Sequence, residues 1–122
     1  MIINEKPLLG RKGEQETVNF LLRQGYTILE RNWRHKRMEI DIIAKQEKVV
    51  VFIEVKTRTN SRTDIKDTVS IFQQNRIIEA AHQYIITQEI DEEIRFDLVL
   101  VDANEKSFKF AHHKEFIYPT IQ

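Results

Sequence analysis

Hydrophobic and polar positions along this chain fall into blocks whose period switches between helical and extended. Residues 1–9 read as an irregular lead, with Pro7 and Gly10 marking its end. Over residues 11–24 the apolar side chains of Val18, Leu21 and Leu22 form a stripe, which predicts a first helix closed by Gly25. A strand follows over about residues 26–32. Residues 38–58, MEIDIIAKQEKVVVFIEVKTR, hold two apolar runs joined by a polar link, the pattern of a hairpin. Residues 57–67 are polar apart from Ile65 and read as a loop. A second helix is predicted over residues 70–87: Ser70 and Gln73 have capping-box spacing, and Ile77, Ala80, Ala81, Tyr84 and Ile85 form its inner face. Residues 94–102, IRFDLVLVD, read as a strand buried on both faces, and residues 107–111 as an edge strand. The expected fold is therefore α/β, a mixed sheet flanked by helices, in a single domain over residues 1–122.

The hairpin departs from an ordinary core pattern in its charges. The run Val49-Val50-Val51-Phe52-Ile53 belongs in a core, yet Glu54 and Lys56 follow at once, and Glu39 and Asp41 stand on the strand before. An unpaired charge at such a place is costly. Alternation puts Glu54 and Lys56 on one face, and Glu39 and Asp41 on one face. If Glu47 and Lys48 form a two-residue turn, Gln46 pairs with Val49 and Asp41 lies opposite Glu54. A three-residue turn would put Asp41 on the other face unless a bulge restored it, and the link holds no Gly, Asn or Pro to decide. Converging carboxylates repel, and a divalent cation resolves that conflict. Mg²⁺ takes hard oxygen ligands and commonly uses one or two protein carboxylates. Lys56 would then position a water and offset charge on a phosphate. The competing reading is a surface hairpin of alternating ion pairs.

Other chemistry is local. Arg31, Arg34, His35, Lys36 and Arg37 form the densest basic cluster, with Trp33 inside it. They suit phosphate neutralisation and base stacking, or equally a solvated turn with Trp33 packed in the core. Arg58 and Arg62, within the polar loop of residues 57–67, are further candidates for contact with a substrate backbone. Glu14 falls on the inward stripe of the first helix, either as a carboxylate facing the site or as an acid favoured by the helix dipole. Asp97 reads as structural, paired with Arg95 or a neighbouring strand. His112 and His113 are adjacent, so on a strand they point apart and make a poor metal pair.

Composition sets the bounds. A chain of 122 residues with 41% hydrophobic and 31% charged content has the make-up of a globular domain, which excludes disorder. Cysteine is absent, which rules out disulfides and thiolate metal sites and fits a cytoplasmic location. No long apolar segment opens the chain, so neither a signal peptide nor a membrane span is expected. Formal net charge is zero, which counts against a broad nucleic-acid-binding surface but leaves room for a local basic patch.

A resemblance gathers these residues. Gly10, Gly13-Glu14, Gly25, Asn32, Arg34, Glu39-Ile40-Asp41, Ile43-Ala44, Phe52, Glu54-Val55-Lys56-Thr57-Arg58 and Arg95-Phe96-Asp97 together resemble the YraN-like family of small bacterial proteins. That family is described as predicted endonucleases of the restriction-endonuclease-like, PD-(D/E)XK superfamily, related to junction resolvases. The resemblance implies an α-β-β-β-α-β-β core. It also implies a Mg²⁺- or Mn²⁺-dependent hydrolase of DNA phosphodiesters, on branched or single-stranded DNA, working with repair or recombination proteins. It carries metal binding onto Asp41, Glu54 and Glu14, and catalysis onto the same three with Lys56. Two departures stand out: Thr17 replaces the usual alanine, which implies looser packing, and Gln73 replaces the usual lysine, which removes a phosphate contact and leaves Gln73 as a capping residue. The alternative is a non-catalytic nucleic-acid-binding or repair-complex module on the same fold. A purely structural domain is the third reading.

Overall fold

A computed structural model of the chain describes residues 6–59, 69–104 and 106–117. Its elements run α1 (Leu8–Arg23), β1 (Thr27–His35), β2 (Met38–Gln46), β3 (Val49–Arg58), α2 (Ile71–Thr87), β4 (Glu93–Ala103) and β5 (Phe108–His113). The order of elements is the one expected. The strands form one sheet in the order β1-β2-β3-β4-β5, antiparallel except for the parallel pair β3–β4. A parallel pair needs a crossover, and α2 lies within it.

The helices cover opposite faces, and alternation explains how. Val51, Ile53 and Val55 of β3 pack with Val18 and Leu21 of α1, while Val50 and Phe52 pack with Ile77, Ala80, Ala81 and Tyr84 of α2. β3 and β4 are therefore buried on both sides, as the long apolar run of β4 required.

Local chemistry accounts for the element ends, including several that differ from expectation. α1 begins at Leu8 rather than residue 11: Pro7 is its N-cap, and the Pro7 carbonyl accepts the first helical bond, from Arg11 N–H at 3.0 Å. Gly10 thus lies inside the helix. Leu22 is not on the buried stripe, being 53% exposed; Gly13, Glu14, Thr17, Val18 and Leu21 are. Thr17 is fully buried, but its hydroxyl donates to the Gly13 carbonyl at 2.7 Å, so its oxygen is satisfied. Gly25 takes φ +90° just past the α1 cap, where a side chain would be strained.

β1 runs three residues further than expected, to His35, so Trp33 and Arg34 lie on a strand and not in the turn. Trp33 meets Tyr84 edge-to-face at a centroid distance of 5.1 Å, which settles it as a packing residue. β3 likewise continues through Thr57 and Arg58, which are strand residues rather than the start of the loop. Ser70 caps α2, accepting from Gln73 N–H at 3.1 Å. Ile85 is only partly buried at the edge of the α2 face. β5 extends to His113. No described helix is long and apolar enough to cross a membrane.

Candidate functional site

The β2–β3 hairpin closes through a two-residue turn. Gln46 pairs with Val49 and Ile42 with Ile53, while Glu47 adopts φ 55° to make the reversal without a glycine. Continuing that register sets Asp41 against Glu54. The ladder, however, stops at Ile42–Ile53, and the Asp41 carboxylate takes over: its Oδ2 accepts from Val55 N–H at 2.8 Å. Ile42 and Ala44 pack on the α1 face, whereas Ile40 and Ile43 pack on the α2 face. Strict alternation would put Ile40 with Ile42, so the strand changes parity at Asp41. The splayed strands thus open a gap, and Asp41 fills it.

Four acids gather there. Glu14 is 4% exposed, Asp41 6% and Glu54 8%, and Glu39 is half-buried beside them. α1 delivers Glu14 because Gly13, the residue before it, lets the helix come down onto Thr57 of β3. A Cβ at Gly13 would overlap the Thr57 hydroxyl, and that hydroxyl is buried without a hydrogen-bond partner among the described residues. Burial pushes the Glu54 carboxyl well above its usual range. A hydrogen bond with Asp41 and the Asp41 charge push it further, and Lys56 and Lys6 only partly offset this. Glu14 is raised for the same first reason, burial, and then by Asp41. Like charges packed this closely call for a cation.

The cation present is Lys6. Its Nζ lies 2.6 Å from Asp41 Oδ1, 2.8 Å from Glu39 Oε1 and 2.8 Å from Asn32 Oδ1, and it is paired with Glu14 Oε2. Burial works against the ammonium, but the Asp41 charge and hydrogen bonds to Asp41, Glu14 and Glu39 outweigh it, so its pKa lies above the normal lysine range. Nothing in the pattern of residues 1–9 marked Lys6 as part of the site; only the fold brings it back across 35 positions to Asp41.

A cavity of about 790 Å³ opens over this cluster. Glu14, Glu39, Asp41, Glu54 and Lys56 line it, and so do Arg37, Gln73 and Arg76. All four residues expected at the catalytic centre therefore share one cavity. Gln73 corrects the capping expectation: its backbone N–H meets the Ser70 cap, while its side-chain Nε2 donates to Glu54 Oε2 at 2.7 Å. Arg76, one helical turn on, was not singled out from the sequence; its Nη2 donates to the Arg37 carbonyl at 3.1 Å, which joins α2 to the β1–β2 turn at the cavity rim. Its spacing from Gln73 was the available signal.

The expected nucleic-acid contacts divide. Arg37 is on the cavity wall. Arg34 pairs with Glu39 at 3.0 Å, and Lys36 is exposed in the turn at φ 58°. Arg58 points elsewhere, its Nε on Asp102 Oδ1 at 2.8 Å. Arg62 lies outside the described residues.

Asp97 lies apart from the cavity, as its structural reading required. It is fully buried and accepts from Arg95 at 2.9 Å and from Glu115 N–H at 3.0 Å, with His112 Nε2 2.7 Å away. Burial pushes its carboxyl up, but these partners outweigh it and hold it below the ordinary range.

The donor set fits a hard divalent cation. It offers carboxylate oxygens from Asp41, Glu54 and Glu14 next to an ammonium already standing in as positive charge. Among the described residues no three acidic, histidine or cysteine side chains close into a metal cage. That is compatible with Mg²⁺, which keeps several waters and needs only one or two carboxylates.

The model of Uncharacterised protein family UPF0102 matches residues 13–101. The chain belongs to the UPF0102 family. A UPF0102 protein of Flavobacterium psychrophilum is 40% identical over 111 residues, covering 90% of this chain and 93% of its own length. One from Bacteroides fragilis is 37% identical over 118 residues, 96% of this chain and 98% of that protein. One from Chlorobium phaeobacteroides is 41% identical over 112 residues, 85% of this chain and 89% of that protein. The YraN-like resemblance is to this same family. Glu14, Asp41, Glu54, Lys56 and Gln73 lie inside the matched UPF0102 region, and Lys6 lies outside it.

Proposed function

We propose that this UPF0102 protein is a Mg²⁺-dependent nuclease that hydrolyses DNA phosphodiester bonds. The observation that carries the reading is the break in the β2–β3 ladder, beyond which Asp41, Glu54 and Lys56 line one cavity together with Glu14. A plain ion-paired hairpin has no reason to end its ladder on a buried aspartate, nor to crowd a second buried acid against it.

Asp41 and Glu54 would hold the cation, with Glu14 supporting them from α1. A divalent ion bound there supplies charge neutralisation at the scissile phosphate and makes a nearby water more acidic. The chain's own groups do the rest. Lys56, two residues from Glu54 on the same strand face, orients the attacking water and donates to a non-bridging phosphate oxygen. Arg37 and Arg76 on the rim fix the flanking phosphates. The water gives a proton to solvent as its oxygen bonds to phosphorus, one P–O ester bond breaks, and the departing alkoxide takes a proton from solvent. The products are a phosphate monoester and an alcohol. Gln73 keeps one Glu54 oxygen engaged, so the carboxylate is held in orientation before substrate arrives.

End-labelled single-stranded and branched DNA incubated in Mg²⁺ tests this. Wild type should cut, and Glu54→Ala and Lys56→Ala should lose cutting while keeping the wild-type circular dichroism spectrum. Equal cutting by wild type and both variants defeats the proposal.

One observation favours a second reading, a nucleic-acid-binding module: Lys6 already pairs with Asp41, Glu14 and Glu39, and Gln73 already occupies Glu54. Such a module binds DNA equally in Mg²⁺ and in chelator, with affinity falling steeply as salt rises.

A further inference from the structure

The oxygens offered to a divalent cation are the ones Lys6 holds. Asp41 Oδ1 at 2.6 Å and Glu14 Oε2 both contact its Nζ, and Glu39 and Asn32 complete the surround at 2.8 Å each. An ammonium has three N–H groups, and four protein oxygens lie around this one, so the cluster engages all of its donors. A doubly charged ion on Asp41 would sit within one ligand diameter of that ammonium. The two cations repel strongly at such a distance and compete for the same lone pairs. They cannot both be accommodated.

We propose that Lys6 is an intramolecular competitor of the divalent cation, which binds only as Lys6 swings out of the carboxylate cluster. This rests on reading the cluster as a cation site. Two features let the side chain leave. Lys6 precedes Pro7, the N-cap of α1, so no helical hydrogen bond holds it. Its side chain is also 27% exposed, which leaves a path to solvent, whereas the acids it touches from α1 and β2 are nearly closed off. Competition lowers apparent metal affinity by the fraction of molecules in which Lys6 is out. It also offsets part of the negative charge of the metal-free site. Glu14, Asp41 and Glu39 would otherwise face each other with only the cavity's remaining cations nearby.

The prediction is specific to charge: a side chain of similar length without the ammonium should leave the acids free for the ion.

The test measures Mn²⁺ binding to the full chain by the electron paramagnetic resonance signal of free Mn²⁺. Wild type is compared with Lys6→Met. In parallel, acylation of Lys6 in wild type is followed by mass spectrometry with and without saturating Mg²⁺. The proposal expects Lys6→Met to bind Mn²⁺ at least about tenfold tighter. It also expects Mg²⁺ to raise the acylation of wild-type Lys6 several-fold. Equal or weaker Mn²⁺ binding by folded Lys6→Met overturns the competition; if wild type still binds, the cation site itself stands. Should Lys6→Met not fold, the acylation arm decides alone, and unchanged labelling in Mg²⁺ overturns the proposal. No binding by either protein overturns both the competition and the cation-site reading.

Discussion

Replacing Gly13 with alanine sets helix propensity against packing at the point where α1 meets the site. In an exposed helix interior the change stabilises by about 1 kcal/mol. Here the new Cβ would overlap Thr57 Oγ1 and stand 2.9 Å from Thr57 Cβ and 3.0 Å from Cγ2. Turning the Thr57 side chain moves Oγ1 and Cγ2 but not Cβ, which is fixed to the β3 backbone, so α1 itself must shift. Overpacking of this kind costs about 1–3 kcal/mol, and the need for backbone movement places it at the upper end. Net of propensity, Gly13→Ala should be about 2 kcal/mol less stable than wild type, a Tm drop of roughly 8 °C. Gly10→Ala is the control. It lies in the same helix with nothing within 4 Å of an added Cβ, and should gain about 0.5–1 kcal/mol. Urea unfolding of the three proteins measures both. If Gly13→Ala is as stable as Gly10→Ala, the close approach of α1 to β3 is wrong, and with it the delivery of Glu14 beside Asp41.

Three other outcomes follow from the same geometry. Glu54 has a folded-state pKa raised above its ordinary 4.5, so its protonation favours the fold. That contribution is complete below the unfolded value and is lost as pH rises through the folded one. In chelator, wild-type stability should therefore fall with pH above about 4.5, and Glu54→Gln should flatten the fall; equal slopes in urea unfolding across pH would count against the burial of this carboxyl. Asp97→Asn removes the charge that Arg95 and His112 share in the sheet, and should cost about 3–5 kcal/mol in chemical unfolding without altering the cavity. Arg37→Ala and Arg76→Ala should weaken DNA binding in fluorescence anisotropy for all sequences alike. Each should reduce the slope of log affinity against log salt by about one; an unchanged slope takes that arginine off the phosphate path.

The elements were legible because each carries its own period and punctuation. Ser70 with Gln73, Gly25 after the first stripe, and the doubly buried run of β4 all behave as their residue types dictate. Asp41, Glu54 and Lys56 were legible for a related reason: charges at the end of an apolar run break a local rule, and such breaks mark sites. The turn between β2 and β3 was open, since Glu47 makes a left-handed reversal that its side chain does not advertise. The change of parity at Asp41 was open as well, because parity along a strand assumes that the ladder continues. Lys6 and the Gln73 side chain were hidden altogether. Both act through contacts between distant segments, from residue 6 to residue 41 and from residue 73 to residue 54, and no periodicity records such a contact. Leu22 misled because it adjoins a buried stripe without belonging to it.

The most direct test of the central claim needs no substrate: thermal unfolding with increasing Mg²⁺ and Mn²⁺ in wild type, Glu54→Ala and Asp41→Asn. A ligand that binds only the folded state at about one hundred times its Kd stabilises by about 2.7 kcal/mol. The account predicts a rising, saturable Tm in wild type that disappears in both variants. Wild-type Tm that stays flat up to high millimolar metal, or that rises equally in all three proteins, would contradict a cation site on Asp41 and Glu54.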